Sequence, residues 1–244
     1  PDAPVREQVD GHEIVRRLGT GSSGEVLLVR QPELDREVAL KRLHGAQPTK
    51  EQAEAFRREA RITASLDHPG VIPIHTMGRD ADGRCYYTMQ HLRGSSLGEI
   101  LEQRARGSAE HLRRYTPKLM LETLARVAET VAYAHARGVA HMDLNPWNII
   151  IGEYGEAVVI DWGEGARSSV GRAPSGSGGR RKRRRPSGPA LVPGSPRYMA
   201  PEQLPGTRKE AGTPVDVHSL GAILYEMLTG RAPYAREKIG RAHV

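Results

Sequence analysis

Short runs of β-branched and leucine residues recur through the first 90 residues, and turn-forming residues bound each run. This pattern predicts three strands, at residues 14–18, 26–29 and 38–43. Residues 48–66 differ, because small or apolar side chains recur on one helical face, which predicts a helix. Asp82 and Gly83 form a hairpin turn signal between two further apolar runs, at residues 72–77 and 85–89.

After Gly94 the apolar residues follow helical spacing. Thr116 and Pro117 are a typical N-cap and first-turn pair, and Gly138 is placed to end the helix that they begin. A second apolar helix is predicted at residues 215–228.

A small hairpin is predicted around Tyr154 and Gly155. The 244 residues are enough for one large domain or for two lobes that share a cleft. We therefore predict an α+β protein with two lobes. Residues 12–92 would form a small antiparallel β-rich lobe with one helix, and residues 93–237 a mainly helical lobe.

Residues 166–193 are rich in Gly, Ser, Pro and Arg and lack periodicity, which predicts a disordered loop. This loop holds six consecutive basic residues that begin at Arg180 and end at Arg185, and they supply six of the seven net positive charges. The rest of the chain is nearly neutral. The basic run could attract an acidic partner, but a solvated insertion is the favoured interpretation. Nucleic-acid binding is not favoured, because no aromatic residues interrupt the run.

Cysteine content and hydropathy limit the setting of the protein. Cys85 is the only cysteine, so no intrachain disulfide is possible, which fits a reducing cytosol. No apolar run approaches the roughly 18 residues that span a bilayer, and the start shows no signal-peptide pattern. We expect a cytoplasmic domain, although an anchor could lie outside this chain.

A glycine-rich loop lies between the first two predicted strands, with the sequence Gly19-Thr20-Gly21-Ser22-Ser23-Gly24. Glycines allow the backbone to approach phosphate oxygens closely. The same pattern also occurs in ordinary hairpin turns, and both interpretations carry equal weight on this motif alone.

Lys41 lies in an apolar strand, where an unpaired charge would be unfavourable. Glu59 on the following predicted helix is a plausible ion-pair partner. The alternative is that Lys41 points to water and Glu59 belongs to a solvated helix face. On these two residues alone, that alternative is favoured.

Asp143 and Asn148 lie five residues apart, and Asp161 follows thirteen residues after Asn148. This set suits phosphoryl transfer from a nucleotide, which needs a base near the acceptor hydroxyl and oxygen ligands for Mg²⁺.

The order of these motifs along nearly the whole chain resembles the protein kinase family, and within it the bacterial Hanks-type serine/threonine kinases. The glycine loop is followed by Val38-Ala39-Leu40-Lys41, the Glu59 helix, His141-Met142-Asp143, Asp161-Trp162-Gly163 and Ala200-Pro201-Glu202. The resemblance implies a bilobal kinase fold, ATP and Mg²⁺ as cofactors, and protein substrates with Ser or Thr acceptors.

The resemblance also implies a role for each matching residue. Lys41, paired with Glu59, would contact the nucleotide phosphates, Asp143 would take the acceptor proton, and Asp216 would brace the catalytic loop. Asn148 and Asp161 would ligate Mg²⁺. The nucleotide would lie against Leu18, Gly19, Gly21, Gly24, Val26, Ala39, Lys41, Met89, Gln90, Leu92, Ile150 and Ile160.

Two residues depart from the family pattern. Met142 stands where many relatives have Arg, which predicts less dependence on phosphorylation of the activation loop. Asn145 stands where Lys is usual near the γ-phosphate, which predicts slower but not abolished chemistry.

The helical lobe is predicted to be truncated, because the family continues with further helices. Residues 238–244 also match the translation of a common sequencing-adapter read and are predicted to be a non-native tail. Three functions are considered. The main one is an ATP-dependent serine/threonine kinase. The others are a nucleotide-binding pseudokinase scaffold and, more weakly, an anion-binding module formed by the basic run.

Overall fold

A computed structural model describes residues 8–21, 24–45, 48–163, 166–167, 197–204 and 212–233. The described strands are β1 (Gln8–Val9), β2 (His12–Thr20), β3 (Gly24–Gln31), β4 (Arg36–Leu43), β5 (Ile74–Arg79), β6 (Cys85–Gln90), β7 (Gly94–Ser96), β8 (Val139–Ala140), β9 (Ile149–Gly152), β10 (Ala157–Val159) and β11 (Ala166–Arg167). The described α-helices are α1 (Lys50–Ala64), α2 (Leu97–Ala105), α3 (Ala109–Arg114), α4 (Pro117–Ala136) and α5 (Thr213–Thr229).

The chain divides into two compact units, residues 1–95 with 150–164, and residues 96–149 with 165–244. The first boundary lies close to the one predicted after residue 92. Residues 150–164 were predicted to belong to the helical part but cluster with the first unit instead. The reason is strand pairing, because β9 lies between β7 and β10, and Val159 in β10 bridges Val71.

The first unit contains a six-stranded antiparallel sheet in the order β1-β2-β3-β4-β6-β5. All three predicted early strands are confirmed. The predicted hairpin joins β5 and β6, and Gly83 adopts a φ of +79° in the turn, a conformation that glycine takes without strain.

The sheet buries a separate apolar cluster on each of its two faces. Adjacent residues of a strand point to opposite faces. Tyr86 accordingly packs in a cluster with Leu27, Val29 and Leu40. The next residue, Tyr87, packs in the other cluster, against side chains of α1.

Helix α1 begins at a complete capping box. Thr49 accepts a hydrogen bond from the Gln52 backbone N–H, and the Gln52 side chain accepts one from the Thr49 backbone. Phe56 and Glu59 are both buried, and their spacing places them on one helical face. The helix predicted at residues 48–66 is thus confirmed.

The second unit has α4 and α5 as its longest described helices, and the two pack together. Thr116 caps α4 by accepting from the Leu119 N–H, as predicted. The apolar stripe of α4 is buried at Met120, Leu124, Val127, Val131 and Ala134.

The prediction that residues 166–193 form a disordered loop needs correction at residues 166 and 167. Residues 166 and 167 form β11, which pairs antiparallel with β8, because the backbone there satisfies its hydrogen bonds in a ladder. The basic run and residues 238–244 lie outside the described residues. None of the described helices is both long and apolar enough to cross a bilayer.

Candidate active site

Lys41 is at the centre of a charged cluster inside the first unit. Its Nζ lies 2.5 Å from Glu59 Oε1 and 3.5 Å from Asp161 Oδ1. Lys41 is 9% exposed and Glu59 5% exposed. The alternative in which both residues face water is therefore wrong, because each charge is buried against an opposite one.

Two opposing effects act on the pKa of Lys41. Burial lowers it, but the negative charges of Asp161 and Glu59 outweigh burial and raise the pKa above its ordinary value. Lys41 is therefore a permanent cation at neutral pH.

Asp161 adopts a left-handed φ of +64°, which is unusual for a residue with a side chain. Such strained conformations concentrate at functional sites. Its side chain is 46% exposed, so carboxylate oxygen is available beyond the contact with Lys41. Carboxylate oxygen is the donor that Mg²⁺ prefers, so the residue fits the predicted metal role. The adjacent Trp162 is fully buried, and its indole N–H donates to the Val159 carbonyl.

A cavity of about 220 Å³ in the first unit adjoins this cluster. Six predicted nucleotide contacts line it together with Asp161, and these are Gly21, Gly24, Val26, Lys41, Met89 and Ile160. Tyr87, Ile72, Ile74 and Thr63 complete the lining. A cavity with one cation and mostly apolar walls suits a ligand that combines an aromatic ring with phosphates.

The three glycines of the loop serve different purposes. A Cβ on Gly24 would lie 2.3 Å from the Arg42 carbonyl oxygen, so the approach of β3 to β4 excludes any side chain there. A Cβ on Gly19 would meet nothing within 4 Å, and one on Gly21 would meet only the Gly24 carbonyl at 3.9 Å. Packing therefore explains Gly24 but leaves Gly19 and Gly21 to another cause, such as room for a ligand.

The remaining predicted nucleotide contacts are more scattered within the first unit. Leu18 and Leu92 line a neighbouring groove of about 620 Å³. Ala39 is buried opposite Met89 in the sheet, and Ile150 lies in β9. The backbone N–H of Gln90 donates to the Pro73 carbonyl at 3.1 Å, so this N–H is not available to hydrogen-bond an adenine ring.

Asp143 lies in the second unit in a loop held by amide side chains. Asn148 donates through Nδ2 to the Asp143 carbonyl at 2.8 Å and to its carboxylate Oδ2 at 3.4 Å. Both bonds use the amide nitrogen, so Oδ1 of Asn148 is the oxygen that a cation could take. The pair thus fits the roles of base and metal ligand that remain predictions for these residues.

Asn145 turns its side chain back onto the same loop. Its Nδ2 donates to the Asp143 carbonyl at 3.0 Å, and its Oδ1 accepts from the Trp147 N–H at 3.0 Å. The residue is 5% exposed and caps a short 3-10 turn at Pro146–Asn148. In this arrangement Asn145 organises the loop, and its contribution near a γ-phosphate stays a prediction.

Trp147, in the same turn, is 45% exposed. One face of its ring covers Gly98 of α2, where an added Cβ would lie 2.6 Å from the ring. The indole ring therefore leaves no room for a side chain at position 98.

Asp216 is fully buried in α5 and accepts three hydrogen bonds. The donors are the backbone N–H groups of His141 and Met142, at 2.7 and 2.8 Å, and Nε2 of His135 at 2.7 Å. The bracing role expected for Asp216 thus has a direct geometric basis. Met142 has a left-handed φ of +71°, which these contacts hold in place.

Three supporting residues were missed from the sequence, namely His135, Gln203 and Tyr87. Gln203 donates through Nε2 to the Met142 carbonyl at 2.7 Å and accepts from the Ala200 N–H at 3.0 Å. The Tyr87 hydroxyl donates to Glu59 Oε1 at 2.6 Å. A polar group within an apolar run, as at Tyr87, indicates that a buried hydrogen bond is needed. The spacing of residues along the sequence does not identify the residue at the other end of that bond.

Comparison with known proteins identifies the family. The profile of the protein kinase domain matches residues 12–243. The chain therefore belongs to the protein kinase family.

Similar curated proteins carry the name serine/threonine-protein kinase PknD. Those of Chlamydia caviae and Chlamydia trachomatis are each 36% identical over 93% of this chain, and that of Protochlamydia amoebophila is 34% identical over 94%. The matches cover 25%, 25% and 24% of those proteins, so the chain spans about a quarter of their length.

Among solved structures, the kinase domain of Mycobacterium tuberculosis PknI aligns with a TM-score of 0.63 at 23% identity. The alignment covers 95% of this chain and 79% of PknI. At this identity the match shows the fold, and it confirms the predicted kinase-like architecture.

Proposed function

We propose that this chain transfers the γ-phosphate of ATP, with Mg²⁺, to Ser or Thr hydroxyls of protein substrates. The observation that carries the proposal is the buried Lys41 held between Glu59 and Asp161 at the wall of a cavity. A permanent cation with apolar walls beside it is suited to a nucleotide triphosphate. The names of the curated relatives support the choice of Ser and Thr as acceptors.

Five residues each have a defined task in the proposed reaction. Lys41 orients the α- and β-phosphates, with Glu59 fixing its position. Asp143 accepts the proton of the acceptor hydroxyl as its oxygen bonds to the γ-phosphorus. The bond to the β,γ-bridging oxygen breaks, and ADP leaves with that electron pair. Oxygens of Asn148 and Asp161 would hold Mg²⁺, which supplies charge compensation on the phosphates.

The test is transfer of ³²P from labelled ATP to a generic basic protein, comparing the wild type with Asp143→Asn. We expect the wild type to label the substrate and the variant to lose at least about 100-fold in rate, because the base is removed. Calorimetric titration with a non-hydrolysable ATP analogue and Mg²⁺ should give similar affinities for both, because Asp143 contacts the acceptor.

Two results would contradict the proposal. Nucleotide binding without any transfer by the wild type would favour a pseudokinase scaffold. Equal transfer by Asp143→Asn would show that the activity comes from a contaminating kinase. For the run from Arg180 to Arg185, the favoured interpretation is a solvated insertion, and the alternative is binding to an acidic protein segment. Salt-dependent binding that is lost when the run is deleted would support the alternative.

A further inference from the structure

Tyr87 makes a contact that the proposed reaction does not use. Its hydroxyl donates to Glu59 Oε1 at 2.6 Å, and Lys41 Nζ contacts the same oxygen at 2.5 Å. Tyr87 is 4% exposed. On the other side of the carboxylate, a Cβ added to Gly163 would lie 3.0 Å from Glu59 Oε2, so the carboxylate is closely surrounded.

The ring of Tyr87 contacts the same helix at a second point. Its centroid lies 5.0 Å from that of Phe56, which is three residues before Glu59 in α1. Tyr87 therefore contacts Phe56 with its ring and Glu59 with its hydroxyl on one helical face. A one-residue slip of α1 rotates this face by about 100° and would break both contacts.

The two donors to Glu59, Lys41 and Tyr87, differ in the other groups that they contact. Lys41 is shared with Asp161 and, in the proposed reaction, also with the nucleotide phosphates. The only hydrogen bond described for the Tyr87 hydroxyl is the one to Glu59. Burial, together with the negative charge and hydrogen bond of Glu59, raises the pKa of Tyr87 well above its ordinary value. The hydroxyl therefore keeps its proton and stays a donor.

We propose that Tyr87 is a positioning residue that holds the Glu59 carboxylate in place while Lys41 engages the nucleotide. The inference rests on the proposed kinase function. It predicts that removing one oxygen atom, the Tyr87 hydroxyl, slows phosphoryl transfer.

The test compares Tyr87→Phe with Tyr86→Phe in the same chain. Tyr86 is the matched control, because it is the adjacent residue, equally buried, on the opposite face of the sheet, and its hydroxyl donates to a different carboxylate, Asp10. Turnover, KM for ATP, affinity for a non-hydrolysable ATP analogue with Mg²⁺, and the urea midpoint are measured for each. The same substitution is repeated in a Glu59→Gln background.

We expect Tyr87→Phe to lower kcat about tenfold and nucleotide affinity about threefold, and Tyr86→Phe to change either by less than about twofold. With Glu59→Gln present, the effect of Tyr87→Phe should shrink to less than about twofold, because the two residues act as a unit. A merely structural role would lower the urea midpoint and leave kcat and affinity per folded molecule unchanged.

Two outcomes would overturn the inference. One is that Tyr87→Phe matches Tyr86→Phe in both kcat and affinity, and the other is that its effect is undiminished with Glu59→Gln. A wild type that binds nucleotide but transfers no phosphate would overturn the proposed function instead, and the affinity comparison would then decide the role of Tyr87.

Discussion

The charged cluster of the first unit and the Asp143 loop of the second unit are held in place by different kinds of bond. In the first unit, Lys41, Glu59 and Asp161 are fixed mainly by attraction between side-chain charges. In the second unit, the loop around Asp143 is fixed through backbone groups, which Asp216, Asn145, Asn148 and Gln203 bind.

This difference has a functional meaning. A charged ligand can redistribute a cluster of ions, because Lys41 can exchange part of its contact with a carboxylate for a phosphate. Hydrogen bonds to backbone N–H and carbonyl groups depend on the distance and angle between donor and acceptor, which the fold of the loop sets. We therefore expect ligand binding to rearrange the charged cluster more than the loop that carries Asp143.

The largest effect is expected for Asp216→Ala. The backbone N–H groups of His141 and Met142 and the ring of His135 would all lose their acceptor, the fully buried Asp216 carboxylate. We expect the free energy of unfolding to fall by about 3–5 kcal/mol, measured by urea denaturation followed by circular dichroism. Asp216→Asn keeps one acceptor oxygen and should lose less. Equal losses for both variants would show that charge, not hydrogen bonding, holds the loop.

The second test is Asn145→Lys beside Asn145→Ala. Both variants lose the cap on the Trp147 N–H and the bond to the Asp143 carbonyl, so each should lose about 1–2 kcal/mol of stability. Only Lys adds a charge. We expect turnover of ³²P transfer to be higher for Lys than for Ala, because a cation can stabilise charge on the transferring phosphate. Equal turnover would show that the missing charge does not limit the reaction.

The third test concerns Gln203, which bridges the Met142 carbonyl and the Ala200 N–H. Gln203→Glu keeps the acceptor for Ala200 but sets a carboxylate against the Met142 carbonyl. We expect it to lower stability by about 1–2 kcal/mol and more than Gln203→Ala does, again by urea denaturation. The reverse order would mean that the bond to Ala200 is the important one.

The smallest effect is expected for pH dependence in the charged cluster. The pKa of Tyr87 is raised by burial and then by the charge of Glu59, so its contribution is present below the unfolded pKa and declines as pH rises above it. The difference in unfolding free energy between the wild type and Tyr87→Phe should be constant from pH 7 to 9. It should then shrink by about 0.8 kcal/mol by pH 10.5. A constant difference through pH 10.5 would mean that Tyr87 ionises equally in both states.

The fold and the principal charged residues could be predicted because local patterns encode them. Hairpin turns, helix caps and the periodicity of α1 and α4 each depend on residues that are close together in the sequence. The pairing of Lys41 with Glu59 also followed from the order of the motifs, and the distance of 2.5 Å agrees with it.

The supporting contacts could not be predicted, because they join residues far apart in the chain. Asp216 and His135 are 81 positions apart, and Gln203 and Met142 are 61 positions apart. Asn145 shows a different limit. Its identity suggested a weakened contact with phosphate, but the direction of its amide group depends on the backbone of the turn that it caps.

The two tryptophans of the chain, Trp147 and Trp162, give each unit its own optical signal. Trp162, fully buried beside Asp161, should emit at short wavelength and resist quenching by iodide. Trp147, half exposed in the turn between Asn145 and Asn148, should emit at longer wavelength and be quenched readily. Ligand-induced changes in the charged cluster and in the loop of the base can therefore be followed separately by light emission in the unlabelled protein.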